Sequence, residues 1–148
     1  MDLELVKLWH QDERDEEKLD RLYEIKIREC PKRALIEDGC ANIDSYINLF
    51  YQEFWIDILP EWNNLQTITD DEEYFEQFDI FYLKYKDRFV SEYASTHVEE
   101  DIAESWTAFV LKDKPSGKTI AEQKILFFYE YSDFIDLRDH IRSQLSEI

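Results

Sequence analysis

The chain has 148 residues, of which 44% are hydrophobic and 16% aromatic, so it contains enough apolar material for a folded core. With 17 Lys and Arg against 35 Asp and Glu, its net charge of −18 disfavours nucleic acids and anionic membranes as partners, because both are repelled. Only two glycines are present, which excludes a glycine-rich phosphate-binding loop, and no apolar run approaches the length of about 20 residues that a membrane span needs.

The N-terminal part is predicted to contain one helix. The acidic start, Met1 to Glu4, is not followed by an apolar segment, so we expect no signal peptide in this chain. Residues 1–14 are expected to be a poorly ordered segment of one domain that spans residues 1–148. From about Asp15 to Glu29, apolar side chains recur at steps of three and four, which predicts an amphipathic helix that stops at Pro31.

Two cysteines, Cys30 and Cys40, flank a segment that is predicted to be a loop. Their spacing matches neither a zinc finger nor a CxxC redox pair. Two alternatives stay open, a small disulfide loop or two free thiols, because two cysteines do not identify an oxidising compartment.

Two helices are predicted in the middle of the chain. The first runs from about Ile43 to Leu59 with a broad aromatic stripe, Pro60 ends or kinks it, and residues 61–69 are a connection. The next begins near Asp70, which with Glu73 has the form of a capping box. Residues 89–93 are predicted to leave this helix in an extended conformation.

The last three predicted helices complete an all-α domain of five or six helices. Thr96 and Glu99 have the form of a capping box for a helix over residues 98–111, and after a turn at residues 112–118 Thr119 and Glu122 repeat the pattern. Ser132 is predicted to cap the last helix. The predicted buried stripes of the first two are Ile102, Trp106, Phe109 and Val110, and then Ala121, Ile125, Phe128 and Tyr129.

Few residue patterns indicate catalysis. His10, His97 and His140 are far apart, and neither an HExxH zinc motif nor a GxSxG serine motif is present. Glu100 and Glu104 lie four residues apart and share one helix face. Such a pair is typical either of a solvated acidic first turn, which complements the helix dipole, or of a site where one Glu binds a cation and the other orients a histidine ligand.

The run Tyr93-Ala94-x-Thr96-x-x-x-Glu100-x-x-Ala103-Glu104 resembles the segment downstream of HExxH in gluzincin-type zinc peptidases, the group that includes anthrax lethal factor. A longer stretch, from about Cys30 to Arg142, is similar to bacterial zinc-peptidase-like proteins. The resemblance implies that Glu100 is the third zinc ligand, that Glu104 supports a zinc-bound His from behind, and that Tyr93 stabilises the oxyanion. It also implies a peptide or protein substrate and an extracellular or cell-surface location.

The chain departs from this family because the HExxH helix, with two His ligands and the general-base Glu, is missing and would precede the sequence. We therefore expect the C-terminal half of a zincin-like fold, inactive as it stands and without tightly bound zinc. Tyr93, Glu100 and Glu104 should line one open concave surface, and exposed apolar surface there is expected to favour a homodimer.

Two other hypotheses stay open. One is a non-catalytic, acidic helical module that binds a basic partner, for which the net charge of −18 is suited. The other is a metal site built from a different ligand set, His97 with Glu100 and Glu104.

Overall fold

The computed structural model describes residue 30 and residues 33–36 and 39–146. The N-terminal predictions, namely the segment 1–14, the predicted helix from Asp15 to Glu29 and His10, lie outside the described residues. The described elements are β1 (Leu35–Ile36), β2 (Gly39–Cys40), α1 (Tyr46–Phe54), α2 (Leu59–Leu65), α3 (Asp71–Tyr85), α4 (Val98–Leu111), α5 (Ile120–Phe127) and α6 (Ser132–Leu145). Short 3-10 turns follow α3 at Lys86–Arg88, precede α4 at Tyr93–Ser95 and join α5 to α6 at Phe128–Glu130. The mostly helical class is as predicted.

The segment that was predicted to be a loop between the cysteines contains a small hairpin. β1 and β2 pair antiparallel, with Leu35 opposite Cys40, and Gly39 has a φ of 115°, which a residue with a Cβ rarely adopts. Of the two cysteine alternatives, the structure has the disulfide, and the Cα atoms of Cys30 and Cys40 are 5.5 Å apart. Asn48 ties this hairpin to α1, because its Oδ1 accepts the Ala34 N–H at 3.0 Å.

The predicted helix from Ile43 to Leu59 is wrong in its bounds. The helix breaks after Phe54, and a turn over residues 55–58 leads into α2, which covers part of the predicted connection. Pro60 does not end a helix but lies in the first turn of α2, where its missing N–H has no intrahelical partner to lose. The break lets Trp55, which is 1% exposed, turn into the core.

Two predicted N-caps are confirmed and two are wrong. Asp70 accepts the Glu73 N–H at 2.9 Å, and Thr119 accepts the Glu122 N–H at 3.1 Å. His97, not Thr96, caps α4, and Tyr131 precedes α6 without a side-chain cap, so Ser132 is the first helical residue. The exit from α3 is extended at Phe89, but the predicted extended segment does not reach Tyr93, because the chain turns again at Tyr93–Ser95.

One cluster of buried side chains, rich in aromatic rings, holds the helices together. Phe50 and Phe54 of α1 contact Phe127, with ring centroids 5.5 Å and 6.2 Å away, and Phe109 of α4 contacts Phe128 at 5.4 Å. The two contacts with Phe127 are edge-to-face and the Phe109–Phe128 pair is tilted, and such aromatic pairs add to the stabilisation from burial alone. This packing places α1, α4 and α5 side by side, with α4 between the core and the candidate site.

Candidate functional site

The structure brings Tyr93, Glu100 and Glu104 to one surface. Tyr93 lies in the 3-10 turn that precedes α4, and the two glutamates lie one turn apart on α4. The side chain of Tyr93 is 56% exposed. Interaction of its hydroxyl with the Glu100 carboxylate, followed by partial desolvation and the charge of Glu104, raises the pKa of Tyr93. The juxtaposition that the Tyr-x6-Glu-x3-Glu spacing implies is therefore present.

Glu104 fastens the segment that carries Tyr93 to α4. The Ser91 hydroxyl donates to Glu104 Oε2 at 2.9 Å and accepts the Ala94 N–H at 3.1 Å. Because Ser91 precedes the turn and Glu104 lies on the helix, this contact closes the segment onto the helix face. The resemblance implies that the Glu104 carboxylate orients a histidine ligand. In the structure this carboxylate instead accepts a hydrogen bond from the Ser91 hydroxyl.

His97 has a structural role at the start of α4. Its Nδ1 accepts the Glu99 N–H at 3.3 Å, and its ring meets Trp62 edge to face with centroids 5.6 Å apart. Burial lowers the pKa of His97, although Glu99 and Glu100 oppose the shift. An unprotonated Nδ1 can accept the capping hydrogen bond, so this environment suits the neutral ring.

A zinc ion in a catalytic site takes three protein ligands and a water, and Glu100 supplies one carboxylate. Within residues 30, 33–36 and 39–146, no group of three His, Cys, Asp or Glu side chains is arranged to hold a metal ion. The zinc site that the resemblance implies around Glu100 therefore stays a prediction, and so does a site with His97 as a ligand. A surface depression is lined by Arg33, Asn42, Ile43, Asp44 and Ser45, and none of the three predicted site residues belongs to it. The concave surface that was predicted around Tyr93 stays a prediction.

Sequence reasoning missed a buried ion pair that fixes the rotation of α4. Asp101 and Lys124 are both 0% exposed, and Lys124 Nζ donates to Asp101 Oδ2 at 2.5 Å. Trp55 Nε1 donates to the same oxygen at 2.8 Å, and Lys124 Nζ lies 4.1 Å from the centroid of the Phe89 ring. Because Asp101 points into the core, the neighbouring Glu100 and Glu104 lie to one side of the buried face, where both are half-buried.

The buried stripe of α4 is accordingly rotated by one residue from the prediction. Ile102 and Trp106 are half-buried, while Phe109 and Val110 are buried as predicted. Asp101 and Ser105 occupy core positions that polar residues rarely take. The signal available in the sequence was the spacing of Val98, Asp101 and Ser105, which continues the apolar stripe through two polar residues.

The far end of α4 is held by two arginines of α6. Arg138 Nε donates to the Phe109 carbonyl at 2.7 Å, and Arg142 donates to the Val110 carbonyl at 3.2 Å and to the Lys112 carbonyl at 3.2 Å. These carbonyls have no intrahelical donor, and a positive charge there complements the helix dipole. The helix that presents Glu100 and Glu104 is therefore fixed at its start, its middle and its end.

No protein-family model, curated protein or solved structure matches this chain. In the part of the chain that the structure describes, no helix is long and apolar enough to cross a membrane.

Proposed function

We propose that this chain contributes the downstream half of a zinc peptidase centre, with Glu100 as one zinc ligand, Glu104 as a supporting carboxylate and Tyr93 as the hydroxyl that faces the reacting carbonyl. The observation that supports the proposal is that Tyr93, exposed in the turn before α4, lies near enough to Glu100 for this carboxylate to be the main cause of the raised pKa of its hydroxyl. A hydroxyl donor next to a ligand carboxylate suits the stabilisation of an oxyanion.

The zinc ligands and the general base that this chain lacks determine what we expect of the chain alone. Zinc, when bound, polarises a peptide carbonyl and activates water, but it needs two further protein ligands and a general base. The sequence has no HExxH motif to supply them. We therefore expect the chain by itself to bind zinc weakly and to cleave no peptide, and we expect a complementary HExxH helix to complete the site.

We propose an extracellular or cell-surface location for the same protein. The Cys30–Cys40 disulfide supports this location, because disulfides persist in oxidising compartments and are rare in the cytosol.

The test is a complementation experiment on the whole chain. A synthetic helical peptide that carries HExxH, loaded with one equivalent of Zn²⁺, is titrated into the protein and binding is followed by calorimetry. We expect zinc-dependent binding that Glu104→Gln weakens by about tenfold, as is usual for a group that supports a metal ligand, and that Glu100→Gln weakens at least as much. Tyr93→Phe should leave the affinity unchanged and reduce hydrolysis of an added peptide substrate.

Glu99→Gln is the matched control, because Glu99 is the adjacent residue of the same helix and its substitution removes the same charge. Equal losses with Glu99→Gln and Glu100→Gln would show that acidity alone attracts the zinc-loaded peptide. Binding of the zinc-free peptide with the same affinity would likewise contradict the proposal.

A further inference from the structure

Helix α3 has two apolar faces, and within residues 30, 33–36 and 39–146 only one of them packs against other elements. The inward face contributes Phe78 and Phe81 to the core, with Tyr74, Tyr82 and Tyr85 at its edges, and it packs against α2. The outward face carries Phe75, Ile80 and Leu83, which are 65%, 54% and 66% exposed. A helix that displays large apolar side chains on successive turns of its solvent side is typical of an interaction surface.

Acidic side chains surround this outward stripe. Glu72, Glu76 and Asp79 are exposed and alternate with the apolar residues at helical spacing, and Asp70, Asp71 and Glu73 add further negative charge at the start of the helix. The only basic residue of α3 is Lys84, whose Nζ is engaged by Glu61 Oε2 at 2.7 Å. The field over the first two-thirds of the stripe is therefore negative.

The exposed apolar stripe and the acidic residues beside it favour one kind of binding partner for the outward face of α3. From Phe75 to Leu83 the stripe is about 12 Å long, which matches two turns of a second helix. A partner helix with apolar residues at i, i+3, i+4 and i+7 and with flanking Lys or Arg would cover the apolar atoms and neutralise the carboxylates. A second copy of this chain would instead bring the same acidic half-helix and another net charge of −18.

We propose that the outward face of α3, defined by Glu72, Phe75, Glu76, Asp79, Ile80 and Leu83, binds a basic amphipathic helix of another protein. The proposal uses none of the residues of the Tyr93 surface. Its test can therefore fail or succeed whatever the outcome for the zinc peptidase proposal.

The probe is a helical peptide of Leu and Lys with leucines at i, i+3, i+4 and i+7, compared with a scrambled peptide of the same composition. Its affinity is measured by fluorescence anisotropy, and its position by chemical shifts of the ¹⁵N-labelled protein. We expect shifts centred on residues 72–83 and an affinity that falls several-fold between about 0.05 M and about 0.3 M salt. Phe75→Ala and Leu83→Ala should each weaken binding about tenfold.

Leu137→Ala is the control, because Leu137 is an apolar residue of α6 that is 45% exposed, and we expect it to bind the peptide like the unsubstituted protein. Absence of binding, equal binding of the scrambled peptide, or shifts spread over the other acidic surfaces would overturn the proposal. So would sedimentation showing a homodimer that Leu83→Glu dissociates, because a second copy would then occupy this face.

Discussion

Asp101 and Lys124 form an ion pair at 2.5 Å in the protein core, and neither residue has exposed surface. The pair joins α4 to α5, and Trp55 adds a third element through its hydrogen bond to the same carboxylate oxygen. Taking two charges out of water costs several kcal/mol for each ion, so such a pair contributes more to the choice of one packing arrangement than to stability. Here the arrangement that it favours is the rotation of α4 that leaves Glu100 half-buried at the edge of the core.

Replacing one residue of this ion pair should lower the free energy of unfolding much more than replacing both residues. We expect Lys124→Met to lower the free energy of unfolding by about 3–5 kcal/mol, because Asp101 would be left buried without its counter-charge. The double variant Asp101→Leu with Lys124→Met should recover most or all of this loss, since the desolvation cost disappears as well. Urea denaturation of the two single variants and the double variant measures the cycle.

Lys84→Met is the control for that cycle, because it removes an ion pair with Glu61 that is exposed to solvent. Its effect should be small. If Lys124→Met is as stable as the unsubstituted protein, the buried pair is not formed.

The same pair predicts an unusual dependence of stability on pH. Burial raises the pKa of Asp101 to about 6, more than Lys124 and Trp55 lower it, and burial lowers the pKa of Lys124 to about 8. Between about pH 4 and pH 6 the folded protein therefore holds a proton on Asp101 that the unfolded chain has lost, so the contribution of Asp101 to stability falls as the pH rises.

Between about pH 8 and pH 10 the unfolded chain holds a proton on Lys124 that the folded protein has lost, so stability rises with pH. The pair should contribute least between these windows, with slopes of at most about 1.4 kcal/mol per pH unit for each proton. The measurement is the difference in unfolding free energy between the unsubstituted protein and the double variant from pH 4 to pH 10. A difference that does not change with pH would show that the pKa values of Asp101 and Lys124 are not shifted in this way.

The N-cap of α4 can be tested by exchanging His97. We expect His97→Ala to destabilise the protein by about 1 kcal/mol, because the Glu99 N–H loses its acceptor, and we expect His97→Asn to retain most of the stability. Thermal unfolding compares the two variants. Thr96→Ala is the control, because the Thr96 hydroxyl donates to the Tyr93 carbonyl at 2.7 Å and does not cap the helix. A larger loss with Thr96→Ala would restore the capping residue that the sequence predicts.

Reduction of the Cys30–Cys40 disulfide should destabilise the hairpin end of the protein. The bond closes a loop with a sequence separation of 10, for which the loss of unfolded-state entropy corresponds to about 2–3 kcal/mol. Urea unfolding with and without a phosphine reductant measures this difference. A variant with serine at both positions should show the lower stability under both conditions, and a stability that does not respond to reductant in the unsubstituted protein would contradict the expectation.

Two of the helix N-termini could be predicted from local sequence signals, whereas one N-cap and one helix break could not. Asp70 and Thr119 are followed three residues later by Glu, and both cap their helices, because this chemistry is contained within one turn. His97 was missed because a histidine acceptor is less common at this position than the neighbouring threonine. The break at Trp55 was missed because its cause is a contact with Asp101, 46 residues along the chain.

The candidate surface could be predicted from spacing and resemblance, whereas its support could not. Tyr93, Glu100 and Glu104 share a face because the helical period and one preceding turn bring them together. From the sequence, Asp101 and Lys124 would both be predicted to be exposed, since charged residues are normally found at the surface. Only the packing of α1, α4 and α5 shows that they are paired in the core.

The arginines of α6 make the C-terminal helix part of the machinery that orients the other end of α4. Arg138 and Arg142 close the carbonyl end of a helix whose opposite end carries Glu100. Proteolysis or a stop codon that removes α6 would leave the sequence from Tyr93 to Glu104 intact and yet loosen the helix on which it is displayed. In amide hydrogen exchange, the last turns of α4 and helix α6 should consequently open together as one cooperative unit.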